Sequence, residues 1–89
     1  MEDPNEDFQA LIGIIAQKAF VSPADVRPET DLFVELAFDS LGLLEMLVAV
    51  ERHFGIRLEA TRYHRERIDT AGKIHDLIQK VRAEATRSP

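Results

Sequence analysis

Apolar positions recur along this chain with a period near 3.6 and nowhere over a useful length with a period of two. Phe8, Leu11, Ile12, Ile15 and Ala19 fall at i, i+3, i+4, i+7 and i+11, the stripe of an amphipathic helix. Pro4 and Asn5 mark its start, so a first helix is predicted over residues 5–19. In "VSPADV", Ser22, Pro23 and Asp25 occupy N-cap, N1 and N3 positions of a short helical turn, and Pro28 stops that turn from lengthening. "RPETDLF" reads as loop, with Leu32, Phe33, Leu36 and Phe38 apolar enough to be pinned to a core. A second long helix is predicted over 40–54, closed by Gly55. The polar stretch between Glu59 and Arg67 has room for one short helix. The last helix, 70–82, carries Ile74, Leu77, Ile78 and Val81 on one face, and 83–89 is expected to be a disordered tail. "FGIRL" could extend, but one strand makes no sheet.

The expected fold is therefore all-α, a small irregular four-helix bundle of three main helices and one short one, in a single domain over 1–89. Its core should include Phe8, Leu11, Ile15, Leu36, Leu47, Val50, Phe54, Ile74, Leu77 and Ile78. The middle helix has two apolar stripes. Leu43, Met46, Leu47, Val50 and Phe54 share one side; Leu41, Leu44 and Val48 lie roughly opposite. One helix in a small bundle cannot bury both. The longer stripe, with the aromatic, should face the core. The shorter one should stay partly exposed beside Ser40, flanked by Glu45, Glu51 and Arg52, as a partner-docking face.

Size and charge narrow the function. A chain of 89 residues buries roughly 60% of its extended surface, which leaves no room for both a core and a deep active-site pocket. There is no cysteine, hence no disulfide or thiolate-metal framework. The acidic start "MEDPNED" is unlike a signal peptide, and the central apolar run is broken by Glu45 and Glu51, so a cytoplasmic chain without a membrane span is expected. The net charge of −5 divides into −9 over residues 1–51 and +4 over 52–89. An acidic half repels nucleic-acid phosphates and suits docking to basic protein surfaces.

Ser40 stands where this acidic half meets the most apolar segment, in "AFDSLGLLEMLVAVERHFGIRL". Its simplest role is an N-cap, which Asp39 could equally supply. The same position favours a negatively charged group, because a helix N-terminus offers free N–H groups and the positive end of the helix dipole. No base or second nucleophile lies close in sequence, so Ser40 is not self-activating.

"TDLFVEL" leading in, the "DSL" tripeptide, Glu45 and Glu51 on the helix that follows, "FGI" closing it and the later "IDTAGKIHDLI" together resemble the acyl carrier proteins of fatty-acid and polyketide synthesis. The resemblance implies that Ser40 is esterified by 4′-phosphopantetheine, with Asp39 capping the helix or helping to recruit the modifying enzyme. It implies a separate phosphopantetheinyl transferase that uses coenzyme A and magnesium. The arm's terminal thiol would hold acyl groups as thioesters, and an acyltransferase, ketosynthase or ligase would load and unload it. The chain itself would be a monomeric carrier and not an enzyme. "FDSLGLLE" is similar to free-standing bacterial aromatic-polyketide carriers, which points to polyketide or related natural-product biosynthesis.

The chain departs from that family in three places. Ala37 stands where a glycine is usual two residues before the aspartate, Gly42 stands where an acidic residue is frequent after the leucine, and the usually acid-rich second half of the helix carries Arg52 and His53, with Arg57, Arg62, Arg65 and Arg67 following. Aminoacyl or peptidyl carriers of nonribosomal synthesis form the alternative, although they usually show two glycines and often a histidine before the serine, which "LAFDSL" lacks. From another class, a plain helical interaction domain would use Ser40 only as N-cap. His53, His64 and His75 do not share a helix face, so they are taken as surface groups and no metal site is expected. The arginines at 57–67 are either a solvated surface or a docking patch.

Overall fold

The computed structural model describes residues 4–58 and 68–87. Helix α1 spans Pro4–Ala19, α2 spans Ser40–Phe54 and α3 spans Ala71–Arg87, with a 3₁₀ turn at Pro23–Asp25. The predicted all-α bundle is the observed architecture. Among the described residues the β-type pairing is an isolated antiparallel bridge, Asp31 to Thr70. "FGIRL" does not extend as a strand: Phe54 ends α2 and Gly55 turns the chain. The short helix expected between Glu59 and Arg67 lies outside the described residues. The residues on either side of that stretch, Leu58 and Ile68, are both buried.

Local chemistry explains the element ends. α1 begins on Pro4, whose fixed φ and missing N–H suit a first helical position. It ends with Phe20 in a left-handed conformation, φ 60°, where glycine is the usual choice. The Phe20 N–H donates to the Gln17 carbonyl and the Val21 N–H to the Ala16 carbonyl, satisfying two helix-end acceptors. Ser22 caps the 3₁₀ turn as predicted, its hydroxyl accepting from the Ala24 N–H. α2 ends on Gly55 at φ 67°. Thr70 caps α3 by accepting from the Lys73 N–H at 3.2 Å, so the helix proper starts at Ala71.

α3 corrects one expectation: it continues to Arg87, past the predicted end at 82 and through most of the segment expected to be a disordered tail. Ala83, Glu84 and Ala85 are strong helix formers, and Arg82 is tied to α1 by an ion pair with Asp7.

The core joins all three helices and the long connection between α1 and α2. Of the predicted core residues, Leu11, Ile15, Leu47, Val50, Ile74, Leu77 and Ile78 are buried, while Phe8, Leu36 and Phe54 are only partly so. The two aromatics sit near helix ends and pack on polar neighbours. Phe8 stacks at a tilt on His75, centroids 5.2 Å apart, and Phe54 lies 5.0 Å under the Arg82 guanidinium. His75 is thus half-buried and not a simple surface group. Val26 and Leu32, from irregular segments, complete the core.

The connection from 26 to 36 is held by its own side chains and by the start of α3. The Thr30 hydroxyl accepts from the Arg27 N–H. Asp31 Oδ1 accepts from the Phe33 and Val34 N–H groups, and the Glu35 carboxylate accepts in return from the Asp31 N–H. The Leu32 N–H donates to the Asp69 carbonyl and the Gly72 N–H to the Pro28 carbonyl, each at 2.8 Å. A Cβ on Gly72 would come within 3.0 Å of that same Pro28 oxygen, so the close approach requires glycine.

Candidate functional site

Ser40 is the first residue of α2, and it is exposed. Asp39 precedes it in extended conformation, φ −104° and ψ −176°, and is the N-cap. Its Oδ1 accepts from the Gly42 N–H at 2.6 Å, and its carbonyl accepts from the Leu43 N–H at 2.9 Å. This corrects the view of Ser40 as the cap. A residue with helical backbone at N1 cannot fold its hydroxyl back onto N2 or N3, whereas an extended residue one step earlier can.

Two consequences follow. The Ser40 hydroxyl is not used in holding the helix together. The Ser40 and Leu41 N–H groups, at the positive end of the helix dipole, have no acceptor among the described residues, because Asp39 takes only Gly42 and Leu43.

The lead-in to Ser40 is tightly specified. Leu36 packs partly on the core, and Ala37 turns the chain at φ 59°, in the left-handed region. The Phe38 N–H donates to the Leu32 carbonyl at 2.9 Å, which ties the turn back to the buried Leu32. The departure at 37 seen in the sequence is therefore an alanine in a conformation that glycine adopts more readily. That departure was the one available signal of the turn.

The two stripes of α2 separate as their spacing predicts. Leu43, Met46, Leu47 and Val50 are buried. Leu41, Leu44 and Val48 are 63%, 44% and 40% exposed, on the face that leads away from Ser40. Glu45 and Arg52 are exposed beside them. Arg52 stands 12 positions beyond Ser40, about 18 Å along the helix at 1.5 Å per residue. Glu51 is half-buried, and its Oε2 accepts from the Leu58 N–H at 2.7 Å, so its charge also fastens the segment after α2. Two open depressions lie away from Ser40: one of about 650 Å³ lined by Glu51, Arg52, Gly55, Ile56 and Arg57, and one of about 490 Å³ between α1 and α3 at Phe8, Pro28 and His75.

Sequence reasoning missed two further exposed apolar side chains. Val34, held outward by the Asp31–Glu35 turn, is 82% exposed, and Phe20 is 95% exposed. His64, Arg62, Arg65 and Arg67 lie outside the described residues. No described helix is long and apolar enough to cross a membrane.

Comparison with known proteins agrees with this geometry. Residues 9–78 match the family model described as a phosphopantetheine attachment site. The chain is 34% identical over 80 residues to an acyl carrier protein of Amoebophilus asiaticus, covering 90% of this chain and 98% of the relative. It is 31% identical over 80 residues to an acyl carrier protein of Thermotoga maritima, covering 90% and 96%. It is 27% identical over 74 residues to a D-alanyl carrier protein of Bacillus velezensis, covering 83% and 95%.

Proposed function

The chain belongs to the phosphopantetheine-attachment family of carrier proteins, and on that premise we propose that Ser40 is the residue that takes the arm. Members of this family are carriers that catalyse nothing themselves and bear 4′-phosphopantetheine covalently. The observation that carries the assignment is the state of Ser40: exposed, released from capping by Asp39, and standing at a helix start with two N–H groups that lack an acceptor among the described residues. These features fit a phosphodiester. The hydroxyl is available to form the ester bond, the two amides and the helix dipole favour its negative charge, and no buried pocket is needed.

In the loading step the Ser40 oxygen bonds to the phosphorus of coenzyme A that bears the pantetheine. The pyrophosphate P–O bond breaks, adenosine 3′,5′-bisphosphate leaves, and the hydroxyl proton passes to a base on the transferase. Once attached, the arm supplies a terminal thiol that carries cargo as a thioester. Asp39 holds the helix start in place throughout. The exposed face of Leu41, Leu44, Glu45, Val48 and Arg52, with Glu51 at its edge, docks the transferase and the acyltransferase, ketosynthase or ligase that exchange cargo.

The pathway we favour is polyketide or related natural-product biosynthesis in the cytoplasm, supported by the "FDSLGLLE" pattern. Similarity to a D-alanyl carrier keeps an aminoacyl cargo as the second reading. Intact-mass measurement after incubation with coenzyme A and a broad-specificity transferase tests the attachment. The wild type should gain one phosphopantetheine group and Ser40→Ala none; labelling at Ser22 or Ser88 would refute the assignment. The mass of the adduct isolated from cells separates acyl from aminoacyl cargo.

A further inference from the structure

Gly42 lies in the first turn of α2, where alanine would favour the helix more. Its backbone needs no glycine, since it is helical, but a side chain there would be crowded by its surroundings. A Cβ at 42 would stand 3.1 Å from Asp39 Oδ1 and 3.2 Å from Phe38 Cδ1, both inside ordinary van der Waals separation. The Phe38 ring and the capping carboxylate thus border the bare face of Gly42, and a methyl there would make them give by a few tenths of an ångström. The Gly42 N–H donates to Oδ1 of that carboxylate at 2.6 Å, so the capping bond and the crowded contact fall on the same residue. Phe38 is held from its other side by its N–H bond to the Leu32 carbonyl, and its ring packs partly on the core.

Ser40 lies within this short segment: Phe38 and Asp39 precede it, Gly42 follows it, and the Phe38 ring and the Asp39 carboxylate both lie close to the bare face of Gly42. We infer that Phe38 and Gly42 are positioning residues for the Ser40 hydroxyl: the ring seated on the bare glycine locks the Asp39 cap, and the locked cap fixes the direction in which Ser40 meets the transferase. The inference rests on Ser40 as the attachment residue. The docking stripe of Leu41, Leu44 and Val48 runs on along α2 from Ser40 and contributes no side chain to the seat at Gly42, so a fault in the seat should change the chemical step more than the encounter.

The test measures initial rates of loading of the full apo chain with coenzyme A and a broad-specificity transferase, over a range of carrier concentrations, for wild type, Gly42→Ala, Phe38→Ala and the double variant. Hydrogen exchange at the Gly42 amide reports the cap directly. Gly42→Ala should lower kcat about tenfold or more with KM within about threefold, the signature of lost positioning, and should speed exchange at residue 42. The double variant, in which the ring no longer crowds the new methyl, should load faster than Gly42→Ala alone. If Gly42→Ala does not fold, Phe38→Leu takes its place, and a lowered kcat at unchanged KM is again expected. Wild-type kcat in Gly42→Ala, or in Phe38→Leu where that variant stands in, would overturn the inference while leaving the Ser40 assignment intact. A double variant no faster than Gly42→Ala would do the same. A wild type that gains no mass would overturn the assignment and this inference with it.

Discussion

Arg82 and Asp7 stand 75 positions apart in the chain, and their side chains meet at 2.5 Å. The pair is largely shielded from solvent, at 21% and 14% side-chain exposure, and the same guanidinium lies over the Phe54 ring. One cation therefore joins the first turn of α1, the last turn of α2 and the middle of α3. Arg82→Ala should destabilise the domain by about 2 kcal/mol, since it removes a shielded charge-assisted bond and a cation–π contact together. Urea unfolding measures this. A double-mutant cycle with Asp7→Asn should show a coupling above about 0.5 kcal/mol, and additivity would mean that the contact contributes nothing.

Ala37 occupies a left-handed conformation at φ 59° just ahead of the site. Ala37→Gly should stabilise the protein by about 1 kcal/mol, because relief of the Cβ clash outweighs the added freedom of the unfolded chain. For a chain of this size that corresponds to a rise of roughly 4–8 °C in Tm. A lower Tm would show that the turn at 37 is wrongly described.

Phe20 combines the same backbone cost with nearly complete exposure, so its side chain contributes little to folding. Phe20→Gly should raise Tm by a few degrees, while Phe20→Ala, which keeps the Cβ in the left-handed region, should leave it nearly unchanged. Thermal melts of the two variants side by side separate the backbone effect from loss of a contact. Equal shifts in both would argue against the left-handed cap.

Leu44 and Leu47 are three residues apart on α2, about 60° apart around its axis, yet Leu44 is 44% exposed and Leu47 only 2%. Leu44→Arg should stay within about 0.5 kcal/mol of wild type, as exposed substitutions do, and should sharply reduce loading of Ser40 if this face docks the transferase. Leu47→Arg places an unpaired charge in the core and should cost about 3 kcal/mol or more. Circular dichroism melts and intact-mass loading on the same preparations read both effects. An unfolded Leu44→Arg would reassign the residue to the core, and a folded, normally loaded one would remove Leu44 from the docking face.

The features that residue order alone makes legible are local in their physics. Helical periodicity acts over four residues and capping over three, so α1, α2, the start of α3 and the Ser22 turn could be read from residue order alone. So could the split of α2 into a buried and an exposed stripe, because 100° per residue fixes which side chains share a side. The placement of Ser40 at a helix start belongs with these. Tertiary structure decided the rest. Asp39 and Ser40 are both competent caps in sequence, and the cap is Asp39 because the turn at Ala37 and the bond from Phe38 back to Leu32 leave residue 39 extended and residue 40 already helical. Leu58 and Ile68 carry no periodic signal, yet they are buried, and Leu32, expected from its apolarity to be pinned to the core, is held there by a backbone bond to Asp69 that only the tertiary structure supplies. The continuation of α3 beyond residue 82 was only partly legible: Ala83, Glu84 and Ala85 favour a helix locally, whereas the ion pair that ties Arg82 to α1 depends on a residue at the other end of the chain.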